Sequence, residues 1–268
     1  MRRIHLIVEY DGTAYAGWQR QANAMTVQEK LERAILKLTG EEICVSGASR
    51  TDAGVHALGQ SAHFDTESRI PADKFSFALN TLLPPDIRVT RSEEVSPEFH
   101  ARFSTKGKRY RYLFHAAPHA GALTRNTHAH VIYPLDVEKM QAEAQDLVGT
   151  HDFAAFAASG SVVKDTVRTI YRAEVTREGS EIRLIVEGSG FLYNMVRIIA
   201  GTLMEVGTGK RELGAIARAI ETGDRLALGQ TAPAQGLTLC AVLYAGEEER
   251  ALAFFDEEAL RKQPCGGQ

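Results

Sequence analysis

Cysteine is scarce here: Cys44, Cys240 and Cys265 are the three in 268 residues. An odd number at such wide spacing argues against a disulfide framework and against the short intervals of structural zinc sites. A reducing, cytoplasmic setting fits that usage. Long apolar runs are missing too, none approaching the ~18 residues that span a bilayer, so no membrane association is expected. The N-terminus carries Arg2 and Arg3, but Glu9 and Asp11 interrupt the apolar stretch early, which makes a poor signal peptide. Nor is positive charge in excess. Lys and Arg number 31 against 34 Asp and Glu, a formal charge of −3, so total charge does not point to a polyanion. Such a partner has to be served by local charge.

Cofactor motifs are also absent. Gly188-x-Gly190 lacks the third glycine of a dinucleotide fingerprint, and Gly207-Thr-Gly209-Lys210-Arg211 lacks the spacing and hydroxyl of a phosphate loop. His128-x-His130 offers two imidazoles on one side of a strand, with no third ligand at a telling interval. Neither a metal nor a small-molecule cofactor is expected.

What is present is an ordinary globular composition, 44% hydrophobic and 24% charged. Residues 4–10 read as a strand ended by Asp11-Gly12, and Thr26-Val-Gln-Glu29 as a capping box opening a helix with Leu31, Ala34, Ile35 and Leu38 on one face. Strands near 43–48, 61–65 and 87–90 and a helix opened by Pro71 and carrying Leu82 complete the first half. The order strand-helix-strand-strand-helix-strand is ferredoxin-like. The second half repeats it loosely, with strands near 109–115, 170–176, 182–187 and 237–244. Its helices fall near 137–148, 191–206 and 212–221, with Gly207 and Gly223 where helix C-terminal glycines belong. The expected fold class is α+β, two ferredoxin-like halves of mostly antiparallel sheet covered by helices. The boundary falls near 105, where Ser104-Thr-Lys-Gly107 reads as a connection. The halves are then 1–105 and 106–245, followed by a tail at 246–268, mobile at its end and holding a short apolar helix.

Three segments carry chemistry. In Ala48-Ser-Arg-Thr-Asp-Ala-Gly-Val-His56, an extended backbone aims Arg50 and Asp52 the same way, and a neighbouring guanidinium favours the ionised carboxylate that a nucleophile or base requires. The bland alternative is that Asp52-Ala-Gly54 is only a turn. Residues 99–112 interleave Arg102, Lys106, Lys108, Arg109 and Arg111 with Phe99, Phe103, Tyr110 and Tyr112 and contain no acid. Cations neutralise phosphates and rings stack on bases, which suits looped RNA. The same pattern also describes a strand with its tyrosines in the core and its arginines solvated. The third segment, 188–207, is an apolar helix with one cation, Arg197, at its core edge. A carboxylate such as Asp52 would satisfy that cation, and a snorkelling arginine is the alternative.

Taken in order, Glu9-Tyr-Asp-Gly-Thr-Ala-Tyr-Ala-Gly-Trp18-Gln-Arg-Gln21, Thr26-Val-Gln-Glu-Lys-Leu-Glu32, Arg50-Thr-Asp-Ala-Gly-Val-His56, Asn80-Thr-Leu-Leu-Pro-Pro-Asp-Ile87, Phe99-His-Ala-Arg-Phe103, Arg109-Tyr-Arg-Tyr112 and Met195-Val-Arg197 resemble the TruA-type tRNA pseudouridine synthases. The resemblance runs to about Tyr244. It implies a cofactor-free isomerase acting on uridines 38, 39 and 40 of the tRNA anticodon stem-loop, working as a homodimer. It places the catalytic aspartate at Asp52, the substrate-contacting tyrosine at Tyr110 and the aspartate's arginine partner at Arg197. Arg50 becomes the residue that draws the target nucleotide from the stem. Ser49 stands where the family commonly has glycine. A non-catalytic RNA-binding protein on the same scaffold is the alternative. A carboxylate-pair glycosidase would need a second positioned acid, which no motif supplies.

Overall fold

A computed structural model of the chain describes residues 1–157 and 165–245. The helix expected in the tail, and Cys265, lie outside the described residues. Strand β1 (Arg2–Tyr10) alternates as a half-covered strand must, with Ile4, Leu6, Val8 and Tyr10 buried on one face. Helix α1 (Val27–Thr39) starts at the capping box, where Thr26 Oγ1 accepts from the Glu29 amide, and stops at Gly40, whose φ of +78° suits glycine. The buried Val27, Leu31, Ala34 and Ile35 of α1 share one core with that face of β1.

Next come β2 (Ser46–Gly47), β3 (His56–Thr66), α2 (Phe75–Asn80) and β4 (Ile87–Val95). The second half holds β5 (Thr105–Ala116), β6 (Ala129–Val131), α3 (Val137–Gln145), β7 (Gly149–Asp152), β8 (Val167–Glu178) and β9 (Glu181–Gly188). It ends with α4 (Met195–Gly207), α5 (Ala215–Thr222) and β10 (Leu237–Tyr244).

All described strands join one sheet in the order β4-β1-β3-β10-β5-β9-β8-β7, with β2 on β3 and β6 on β5. The pairings are antiparallel except β3 with β10 and β5 with β6. The chain is thus an α+β protein built on one large, mostly antiparallel mixed sheet. Strand β10 crosses back to lie between β3 and β5, so it stitches the first half to the second. The stitch to β3 is short, Thr238 beside His56 and Leu239 beside Ala57. Gly59 makes it possible, because a Cβ there would stand 2.5 Å from the Cys240 carbonyl oxygen.

Several boundaries differ from the sequence expectation. The strand expected over 43–48 shrinks to two residues, Ser46–Gly47. The helix expected to open at Pro71 begins with a 3-10 turn, Ala72–Lys74, and Leu82 lies beyond α2 and is exposed. The expected connection at 104–107 is mostly strand, since β5 starts at Thr105 and pairs Thr105 with Tyr244 and Gly107 with Leu243. Helix α4 begins at Met195 instead of Phe191, because Asn194 adopts φ +62°. Gly207 is still helical and packs against Met140, while Gly209, at φ +73°, makes the left-handed turn. Strand β7 had no sequence signal strong enough to be expected, whereas β6 takes in His130 of the stretch read above as strand.

Candidate active site

The loop between β2 and β3 is held from three sides. Gln60, fully buried on β3, clamps Ser49 twice: its Oε1 accepts from the Ser49 amide at 3.2 Å and its Nε2 donates to the Ser49 carbonyl at 2.6 Å. Tyr10 on β1 bonds its hydroxyl to Thr51 Oγ1 at 2.7 Å. The Trp18 amide donates to the Thr51 carbonyl at 3.1 Å. Gly17, at φ +89°, lets that segment in, since a Cβ there would fall 2.4 Å from the same carbonyl oxygen. Asp52 then opens a tight turn in which the Val55 amide donates to its carbonyl at 3.1 Å and Gly54 takes φ +77°. The tripeptide is therefore a turn, as the bland reading has it, and its acid also faces a cleft.

The first turn of α4 reaches that acid from the other half of the sheet. Arg197 Nη1 donates to Asp52 Oδ2 at 3.2 Å and to Asn194 Oδ1 at 2.9 Å, while Nε donates to the Ala232 carbonyl at 2.8 Å. The Ala232 amide in turn donates to the Arg197 carbonyl. The planar fork is held at three acceptors, which fixes its plane as a flexible lysine could not. Gly201 lets α4 press against this segment, as a Cβ there would meet the Gln230 carbonyl oxygen at 1.7 Å. Burial raises the Asp52 carboxyl above its ordinary range, and the Arg197 charge and hydrogen bond pull against that rise.

Tyr110 on β5 completes the group. Its hydroxyl lies 3.2 Å from Ser49 Oγ, and its ring meets Phe191 edge-on at 5.1 Å between centroids. Burial pushes the phenol up to about 12, with the Asp52 charge adding to the rise and the Ser49 contact opposing it. Ser49 thus supplies a hydroxyl contact to Tyr110. Arg50 is exposed at the rim of the same cleft, whose volume is about 710 Å³. The four residues singled out from sequence, Arg50, Asp52, Tyr110 and Arg197, therefore line or border one space.

Not every cation of the basic segment faces it. Arg109 is buried on the opposite side of β5, its Nε 2.8 Å from Glu187 Oε1, so alternation removes it and Arg111 from the cleft. Arg102, Phe103 and Lys108 do line it. His128 and His130 turn to separate partners, Glu181 and the Ala117 carbonyl. Sequence reasoning missed Tyr10, Trp18, Gln60 and Asn194 as builders of the site. The run from Glu9 to Gln21 carried a signal as a motif, but nothing in it revealed which loop it would brace.

Comparisons of the sequence with known proteins agree with one another. Residues 6–104 and 144–245 match the family described as tRNA pseudouridine synthase. The "tRNA pseudouridine synthase A" of Ruminiclostridium cellulolyticum is 56% identical over 91% of this chain and 100% of its own length. That of Acetivibrio thermocellus is 54% identical with the same coverage. Among solved structures, a chain of a Cbf5-Nop10-Gar1 complex overlaps 75% of this chain and 45% of its own, at 13% identity and a TM-score of 0.35. With a loop aspartate, a strand tyrosine and a helix arginine at one cleft, and well over half of its residues matched, the chain belongs to the tRNA pseudouridine synthase family.

Proposed function

We propose that this protein isomerises uridine to pseudouridine at positions 38, 39 and 40 of the tRNA anticodon stem-loop, with Asp52 as the reacting carboxylate. The observation that carries the reading is the Asp52–Arg197 pair, 3.2 Å apart beside Tyr110 in a cleft roomy enough for a nucleotide. In the reaction the C1′–N1 bond breaks and a C1′–C5 bond forms, the proton on C5 leaves and N1 gains one. The product is an isomer, so no redox equivalent and no external energy is needed. Asp52 either adds to the base or sugar or takes a sugar proton, and both routes require the ionised acid. Arg197 holds that acid charged in a site whose burial opposes ionisation. Tyr110 packs against the target nucleotide, and Arg50 occupies the space the base leaves in the stem.

The two halves of the sheet, 1–105 and 106–245, are read as a ferredoxin-like pair. In support, β4-β1-β3 with β2 and β10-β5-β9-β8 follow the same internal order. A homodimer with facing clefts in the cytoplasm accounts for RNA binding by a chain of net charge −3, because Arg50, Arg102 and Lys108 gather at the cleft, where Asp52 is the one acid among the described lining residues. Incubating the protein with unmodified tRNA transcript and mapping pseudouridine by nucleotide tests the whole. Asp52→Ala is expected to abolish product and keep tRNA binding. Wild-type protein that binds tRNA but forms no pseudouridine supports a non-catalytic RNA-binding protein instead.

A further inference from the structure

Lys108 is a cation drawn inward with little to hold it there. The alternation of β5 puts it on the face shared by Tyr110 and Tyr112, where its Nζ donates to the Ala48 carbonyl at 2.9 Å. Among the described residues no carboxylate pairs with it. Its cross-strand neighbours are the uncharged Val242 on β10 and Gly188 on β9. The charged groups that act on it are Arg102, from the connection before β5, and Arg168 on β8, both cations, the latter with only the exposed Asp165 at 4.0 Å as a carboxylate neighbour among the described residues. Asp52 is taken up by Arg197, and Arg109 with Glu187 lies on the far face of the sheet. Burial, reinforced by those two guanidinium groups, brings the Lys108 ammonium down to about 8. A desolvated charge among like charges is costly, and one carbonyl does not offset it. An uncharged donor would hold the Ala48 carbonyl as well.

An anion is what this arrangement is short of. We propose that Lys108, backed by Arg102 and Arg168, binds a phosphodiester of the substrate RNA beside the nucleotide presented to Asp52. The inference rests on the RNA-modifying reading above. The two cations that depress Lys108 in the free protein become partners once a phosphate sits among them, and the phosphate's charge restores its proton. Binding above pH 8 therefore takes up a proton, whereas an ordinary exposed lysine stays charged throughout.

The test is equilibrium binding of an unmodified tRNA transcript to the intact protein at pH 7 and pH 9, over a salt series. Wild type is expected to lose affinity between the two pH values beyond any loss seen in Lys108→Arg, whose guanidinium cannot titrate there. Lys108→Met is expected to bind roughly tenfold or more weakly at pH 7, as loss of a charged hydrogen bond implies. Its salt slope should fall by about one, and Lys108→Arg should restore both. Equal pH dependence in wild type and Lys108→Arg overturns the proposal. So does a Lys108→Met protein with wild-type affinity and slope but a lower kcat, which marks a residue that only positions the loop. Should Lys108→Met fail to fold, judged by thermal melting, the comparison of wild type with Lys108→Arg still decides. Failure here leaves the Asp52 reading standing, since that reading is judged by product formation and by Asp52→Ala.

Discussion

The pair of Asp52 and Arg197 can be weighed by a double-mutant cycle on stability. Two unit charges 3.2 Å apart attract by about 5 kcal/mol at an effective dielectric constant of 20. Each side chain is 19% exposed to the cleft, and water entering there discounts the figure to about 1–3 kcal/mol. The signs of the single variants follow from Asp52. Its carboxyl titrates higher in the folded protein than in the unfolded chain, so ionisation at neutral pH opposes folding. Asp52→Asn is therefore expected to raise stability at pH 7.5, with the gain fading as the pH falls through the folded and then the unfolded carboxylate range. Arg197→Met leaves a buried carboxylate without its partner and destabilises. Made in the Asp52→Asn background, the same change costs less, and the packing lost with the arginine stem cancels between the two backgrounds. Urea unfolding of the four proteins at pH 7.5 gives the coupling, which should shrink toward acid pH. A coupling below about 0.5 kcal/mol, or one that ignores pH, refutes the claim that Arg197 works as a charge partner.

Activity should follow the same electrostatics. With Asp52 as the proposed reacting carboxylate, kcat/KM is expected to fall on the acid side, and Arg197→Met, by removing the charge that counters burial, to move that limb to higher pH; pH–rate profiles of the two proteins check it. Tyr110→Phe keeps the ring against Phe191 and loses only the hydroxyl contact with Ser49, so it should retain far more activity than Tyr110→Ala in single-turnover assays. Gly17→Ala forces a Cβ against the Thr51 carbonyl at an unfavourable φ, and is expected to cost roughly 2 kcal/mol or more in urea unfolding and to lower kcat through the displaced loop. Gly201→Ala should lower kcat as well, because α4 can no longer seat Arg197 against Ala232; unchanged turnover in either glycine variant counts against the bracing described above.

How much of this the amino-acid order discloses depends on the range of the interaction. Helix α1 and strand β1 were legible because capping and alternation are local. The start of α4 was not, since the apolar pattern runs on through Phe191 and Leu192 and only the left-handed turn at Asn194 breaks it. Arg109 looked like a phosphate ligand beside its neighbours in sequence. Its salt-bridge partner Glu187 lies 78 positions away on β9, where no local rule can see it. The expected interdomain connection at 104–107 became strand for a similar reason, because its partner, the end of β10, is distant. Within the site, the motif containing Asp52 stood out by its chemistry. Gln60, which clamps it, reads as one more polar residue until the sheet is assembled.

The late position of β10 has a consequence for biosynthesis. Asp52 is made early and Arg197 much later, yet the strand that unites their two regions is translated after both. A nascent chain arrested before Leu237 possesses every reactive side chain named here and lacks the seam that brings them to one another. Products truncated before Leu237 are thus expected to be inert, with β10 needed before any uridine is at risk.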